Sequence, residues 1–248
     1  GFAGANIDGN IENCSVKVEL KGGNTYIGGF VGEVDKGEFV NCTASGTLTN
    51  SAATAGGFVG GSAATTAEAK YTNCHSSVIV NSNKNVGGFT GTAVGTFTSC
   101  HASGSVTCSG GSVGGFAGRT LEKSNVTFSK CYATGDVEGK ANTGGFIGYF
   151  GGDCNVNNCY AAGNVNGLDQ KTGGFAGYTL DNATNIPNGV TITNSYAAGE
   201  VRGTFTMGGF LGRMGLNNVT IDKCVAWSPV VYAQTIGAEN WSTGAFVG

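Results

Sequence analysis

The chain has 248 residues, of which 46 are glycine and 2 are proline, with 12% charged residues and a formal net charge of -3. Collagen needs glycine at every third position, and a proline-rich linker needs proline, so both are excluded; a hydrophobic share of 40% excludes a disordered tail. There is no basic run and no stretch of 18 apolar residues, so neither nucleic-acid binding nor membrane insertion is expected. The opening GFAGANIDGN lacks an initiator Met and a charged n-region, as expected of a fragment or a processed chain.

From the N-terminus the chain alternates two landmarks. GFAG (1–4) is followed by NCSVKVEL (13–20), GGFVG (28–32), NCTASGTL (41–48), GGFVG (56–60), NCHSSVIV (73–80) and GGFTG (87–91). Next come SCHASGSV (99–106), GGFAG (114–118), KCYATGDV (130–137), GGFIG (144–148), NCYAAGNV (158–165) and GGFAG (173–177). NSYAAGEV (194–201), GGFLG (208–212), KCVAWSPV (223–230) and GAFVG (244–248) complete the series. Successive Phe positions lie 28, 28, 31, 27, 30, 29, 35 and 36 residues apart. A period in this range marks a solenoid, a propeller or an array.

The second landmark alternates with period 2, as a strand with one buried face does. Counting from the Cys, positions 0, +2 and +6 are apolar or small and point inward, while +1, +3 and +5 point outward. The +6 column reads Leu20, Leu48, Val80, Val106, Val137, Val165, Val201 and Val230. From the Cys position to the next Phe is 15 or 16 residues in seven coils and 22 in the last, whereas Phe to the next Cys varies from 11 to 20. Insertions therefore collect on one arc, with the longest at 61–70 and 179–189. The unit is too short for a propeller blade, and its glycine content argues against helical repeats. The expected fold is all-β: a parallel β-helix, or β-solenoid, of about eight coils with a repeat of roughly 28 residues, forming a single domain over 1–248. The right-handed form is expected because parallel crossovers take that hand. At about 4.8 Å per coil the rod is on the order of 40 Å long.

A glycine–apolar–x–glycine core, with Asn-Cys-x-Ala-x-Gly-x-Val between copies, resembles the GLUG-type repeat. The resemblance covers the whole chain, which departs from the pattern in using Phe at the apolar position. That repeat occurs in large bacterial surface proteins, among them adhesin-like proteins and the non-catalytic part of some immunoglobulin-A-cleaving metallopeptidases. The resemblance implies a secreted or cell-surface module without catalytic activity of its own.

Three columns are candidates for a special role. Cys14, Cys42, Cys74, Cys100, Cys131, Cys159 and Cys224 share the zero position, with Ser195 in the remaining coil. In phase with Ala and Val they are expected inside, as reduced thiols acting as small hydrophobes. Cys108 and Cys154 fall outside the column in different coils and are not expected to pair. Phe30, Phe58, Phe89, Phe116, Phe146, Phe175 and Phe210, with Phe2 and Phe246 at the ends, are expected to form a buried stack of rings. Their flanking glycines are expected to serve the tight turn and close coil packing.

The +1 column reads Ser15, Thr43, His75, His101, Tyr132, Tyr160, Tyr196 and Val225. It offers either a self-stacking surface ladder or a strip for a host glycan or a surface protein. Because parallel β-helices also host carbohydrate-active lyases and glycosidases, the +5 carboxylates Glu19, Asp136 and Glu200 are the enzyme alternative. Asp136 and Glu200, two coils apart, would stand about 9–10 Å from each other, near the upper end for an inverting pair. No His-Glu-x-x-His motif is present, so a metallopeptidase site is not expected in this segment, and no cofactor is expected. The chain starts and stops within the Gly-Phe motif, which points to a longer array or to copies meeting end to end as a fibre.

Overall fold

The computed structural model of the protein describes residues 1–6, 8–23, 25–50, 54–64, 68–180, 188–215, 218–233 and 242–248. Among them there is no helix, and every strand pairing is parallel. The second coil shows the unit. Tyr26–Gly28 leads into the Gly-Phe motif, Val31–Val34 leaves it, Glu38–Val40 precedes the Asn-Cys landmark and Thr43–Thr49 follows it. Each segment stacks on its equivalent in the next coil, which gives four parallel sheets, three of eight strands. The fourth has 13 strands on eight levels, because its strand is continuous in the first three coils and split in two above them. The chain is a β-solenoid with eight strand levels.

Each glycine of Gly-Gly-Phe-x-Gly answers to a different neighbour. A Cβ on the first would collide with a carbonyl of its own turn, as Gly28 with Val31 and Gly87 with Thr90. A Cβ on the second would lie far inside 3.0 Å of the next coil's carbonyl: Gly29 against Gly57, Gly57 against Gly88, and so on to Gly209 against Ala245. A Cβ on the fifth would meet the preceding coil, with Gly32 at 2.5 Å from the Gly4 carbonyl and Gly212 at 2.6 Å from that of Gly177. The motif is thus a turn plus two surfaces of backbone contact. No side chain fits where coils approach at strand spacing.

The residue before the Cys position turns the corner. Asn13, Asn41, Asn73, Ser99, Lys130, Asn158, Asn194 and Lys223 all have φ between 50° and 56°. This is the left-handed region, in which Asn is enriched among non-glycine residues. The amides of Asn41 and Asn73 also donate down the column, to Asn13 Oδ1 at 3.0 Å and to Asn41 Oδ1 at 2.8 Å.

The core is a set of stacked columns. The Phe rings run unbroken from Phe2 to Phe246, with centroids 4.6–5.0 Å apart and planes within 12° of parallel. A second ring stack, three residues before the Cys column, contains Phe39, Tyr71, Phe97 and Phe128 at 4.7–5.1 Å. The two stacks meet edge to face, for example Phe97 against Phe116 at 5.8 Å and 88°. Ile11 lies below the second stack in register, and Val156, Ile192 and Ile221 continue it above.

One strand register differs from the sequence expectation. Val201 pairs with Val231, not Val230, and Val230 is exposed. At +4 Gly135, Gly163 and Gly199 have no room for a Cβ against the carbonyl beneath, and at +5 the backbone N–H groups of Asn164 and Glu200 donate to the coil beneath. The last coil carries Ser228 and Pro229 at these places, a side chain where the others have none and a residue with no N–H to donate. Its strand leaves the path, takes one extra residue and rejoins at Val231. Of the two long inserts, 65–67 and 181–187 lie outside the described residues.

Candidate functional site

The Cys column is inside. Cys42, Cys74, Cys100, Cys131 and Cys159 are buried, Cys14 and Cys224 at the ends are half-buried, and all nine cysteines are free. Each thiol of the column donates to the carbonyl two residues before it, at 3.2–3.4 Å. Burial raises the pKa of Cys100, Cys131 and Cys159 far above the usual thiol range. Thiolate is the reactive form, so the column is chemically quiet. Cys154 occupies a core place in register with Val126 and Val190, and Cys108 is aligned with Ser82 and Gly139; they sit on different sheets.

The +1 residues form one ladder. His75 and His101 stack at 3.8 Å, His101 and Tyr132 at 4.6 Å, Tyr132 and Tyr160 at 4.7 Å, and Tyr160 and Tyr196 at 4.9 Å. Strand spacing fixes these distances, since the residues are direct partners in the ladder of the sheet. The consequence for binding is specific. Ring faces inside the ladder are covered by their neighbours, so the strip presents ring edges and hydroxyls rather than open faces. Burial, then the neighbouring His75, pushes His101 down to about 4, and burial also lowers His75. Both imidazoles are neutral at pH 7. Among the described residues no group of three or more His, Cys, Asp or Glu is placed to hold a metal ion.

The ladder is half-buried from His75 to Tyr160 and exposed at its C-terminal end. Tyr196 is followed by Val225, and the same sheet face carries Trp227 and Tyr232, with Trp227 the most exposed at 77%. The sequence signal for this group was the single Trp in a +3 column otherwise made of Lys17, Ser45, Ser77, Ser103, Thr134, Ala162 and Ala198. A further ring pair, half-buried at Tyr149 and buried at Tyr178, lies on the sheet that leaves the Phe motif. Tyr149 and Tyr178 stack at 5.5 Å, with Lys171 Nζ 4.3 Å and Arg213 5.7 Å from the Tyr178 ring centre. Both tyrosines directly follow the fifth glycine of the motif, three residues after Phe146 and Phe175.

The +5 carboxylates do not converge. Asp136 accepts the Asn164 backbone N–H at 2.8 Å, and Asn164 Oδ1 accepts that of Glu200 at 3.1 Å, so an Asn stands between the proposed pair. Glu200 is ion-paired with Arg202 at 2.8 Å and Glu19 with Lys21 at 2.7 Å. Carboxylates do gather in an open groove of about 600 Å³ beside the 61–70 insert, lined by Asp8, Glu38 and Glu68 with Lys36 and Lys70. There Glu38 holds Lys70 at 2.8 Å, and that contact raises the Lys70 pKa.

The motif spacing and the corner Asn place the coil among known repeats. A family model described as the GLUG motif matches residues 23–49, the segment from before the second Phe to the end of its Cys strand. The chain carries the GLUG motif. Halomucin of Haloquadratum walsbyi is 31% identical over 131 residues, which is 53% of this chain and 1% of Halomucin. A solved structure of a candidate immunoglobulin A1 protease from Bacteroides ovatus aligns with a TM-score of 0.48 and 20% identity, over 87% of this chain and 67% of the other. The GLUG segment 23–49 contains three of the features that recur in the coils above it: the Gly-Phe turn, the left-handed Asn41 and the Cys42 strand.

Proposed function

We propose that the chain is a non-catalytic repeat module of a larger secreted or cell-surface protein, a rigid adhesin-like stalk that also presents a binding face. The observation that carries this reading is the continuous column structure. Backbone contacts, two ring stacks and the Cys ladder consume the interior, and the groups with reactive potential are closed: thiols buried, imidazoles neutral, +5 carboxylates capped or paired. The match to a sequence of which it spans 1% supports a module set within a much longer protein. The GLUG motif supports surface display.

The binding face is the outer side of the Cys sheet, where His75, His101, Tyr132, Tyr160 and Tyr196 run up to Trp227. Its partner is a host glycan or a surface protein. A glycan and host-protein array, run with the unaltered chain and with Tyr132→Ala, Tyr160→Ala and Trp227→Ala, tests it. Loss of a bound ligand in the variants is the expected result. Binding indifferent to all three removes this face from consideration.

The groove beside the 61–70 insert favours a second reading, a carbohydrate-active site built on Glu38 and Glu68 in place of Asp136 and Glu200. Release of reducing ends from acidic and neutral polysaccharides, abolished by Glu38→Gln and Glu68→Gln, would establish it. No release from either class would remove it.

A further inference from the structure

Two columns face each other across the seam where the strands entering and leaving the Gly-Phe motif meet. The leaving strands carry Thr92, Arg119, Tyr149, Tyr178 and Arg213 in direct register, each three residues after its Phe. On the entering side the stack is Asn85, Ser112, Asn142 and Lys171, whose carbonyls accept from the coil below. The floor between them is glycine. An added Cβ on Gly118, Gly148 or Gly177 would stand 2.6–2.7 Å from the backbone nitrogens of Val86, Val113 and Thr143. The seam is therefore a longitudinal furrow, deep enough to bury the outward Thr92, Ser112 and Tyr178.

The furrow is cationic. Lys171 and Arg213 lie over the Tyr178 ring, and Arg119 is the register neighbour of Tyr149. Arg119 takes part in none of the ion pairs found among the described residues, and its Nε is buried with no hydrogen-bond partner. On the other wall Asn142 donates its amide N–H to Ser112 Oγ at 3.2 Å, while its Oδ1 is buried with no donor. A buried polar atom without a partner is costly, and here one is a cationic donor and the other a neutral acceptor. Of the nearby carboxylates, Glu33 lies three coils below Arg119 and Glu122 stands beside Gly151.

We propose that this furrow binds an acidic glycan chain, with Arg119 turning its guanidinium onto a sugar carboxylate. The planar fork of an arginine matches a carboxylate with two parallel hydrogen bonds. Sugar hydroxyls both donate and accept, so they serve Asn142 Oδ1 and the hydroxyls of Thr92 and Ser112 as well. A bare inorganic anion would satisfy Arg119 and leave Asn142 without a donor. An extended acidic peptide gains its affinity from an open strand edge, whereas the strands flanking the furrow are paired on both sides. The furrow lies on a different face from the His/Tyr ladder, which belongs to the Cys sheet, and stands or falls apart from it.

The test is a calorimetric titration of the whole chain at low salt with oligogalacturonate, hyaluronan oligosaccharides and a sialylated oligosaccharide. The methyl ester of the oligogalacturonate, poly-glutamate and sodium sulfate are run beside them, and circular dichroism checks that each variant is folded. Saturable binding of at least one acidic glycan is expected, weakened about ten-fold or more by Arg119→Gln and reduced by added salt. Asn142→Asp, nearly isosteric but anionic, is expected to weaken it too, and Tyr132→Ala, on the other face, to leave it unchanged. Failure of all three acidic glycans to bind would overturn the proposal. So would equal binding of the methyl ester, poly-glutamate or sulfate, or an affinity indifferent to both Arg119→Gln and Asn142→Asp.

Discussion

The Ser195 hydroxyl accepts the backbone N–H of Cys159 at 3.1 Å, in the way that the Cys159 sulfur accepts that of Cys131 at 3.4 Å. Ser195 also donates to the Thr193 carbonyl at 2.8 Å, as Cys159 does to Asn157 at 3.3 Å. The column is a hydrogen-bond relay between coils in which sulfur is one of two usable atoms.

The two residues should therefore be interchangeable where Ala is not. Cys159→Ser is expected to change stability by less than about 1 kcal/mol, while Cys159→Ala strands the buried Cys131 N–H and costs about 1–3 kcal/mol. Urea unfolding of the three proteins separates the cases. An Ala variant as stable as the Ser variant would remove the relay from the stability account.

Burial and raised pKa together predict slow alkylation. Cys100, Cys131 and Cys154 are expected to stay unmodified by iodoacetamide at pH 8 in the native state and to react fully in denaturant, with Cys14 and Cys224 reacting first. Mass spectrometry of the peptides reads the order.

The second ring stack makes Phe97 a keystone between Tyr71, Phe128, Phe89 and Phe116. Phe97→Ala should cost about 3–5 kcal/mol, the range for deleting a buried ring. Phe2→Ala, at the half-exposed end of the other stack, should cost clearly less. Thermal melts that rank the two the other way round would contradict the packing described.

The chain has 2 histidines, and both have lowered pKa values, His101 near 4. Between that value and the unfolded value of about 6.5, the unfolded chain binds more protons than the folded one. Stability therefore rises with pH across this window and is lost as pH falls from about 6.5 towards 4. His75→Thr with His101→Tyr, which extends the flanking Thr43 and Tyr132, should flatten the dependence of the melting temperature on pH in this range. An unchanged slope would assign it to carboxylates.

The solenoid was legible in the sequence because its period is carried by backbone needs. Glycine at the contact points and Asn at the corner recur wherever the chain must pass through the same conformation. The alternation after each Cys placed Ala102, Val106 and Val137 inside, as the structure has them. The Phe39–Tyr71–Phe97–Phe128 stack was not read, although it holds a fixed offset of three before the Cys position, because its members change between ring and aliphatic and sit in the arc of variable length. The outward phase of His75 to Tyr196 was legible, with a self-stacking ladder as one of two readings, but the choice between that and an open strip was not. That depends on side-chain rotamers held in register, which alternation alone does not specify. The groove of Glu38 and Glu68 escaped for another reason: its residues keep fixed offsets before the Cys position, with Glu38 and Lys70 at −4 and Asp8, Lys36 and Glu68 at −6, but the residue type changes from coil to coil, so no column of one chemistry marks it.

The two ring stacks run side by side only from Phe39 to Phe128, and above them the second column is Val156, Ile192 and Ile221. The rod is thus a composite beam. Its lower half has interlocking rings that resist shear between coils, while its upper half slides aliphatic side chains past a single ring column. Bending strain along the axis would concentrate just above Phe128, making that level the flexural midpoint of the module.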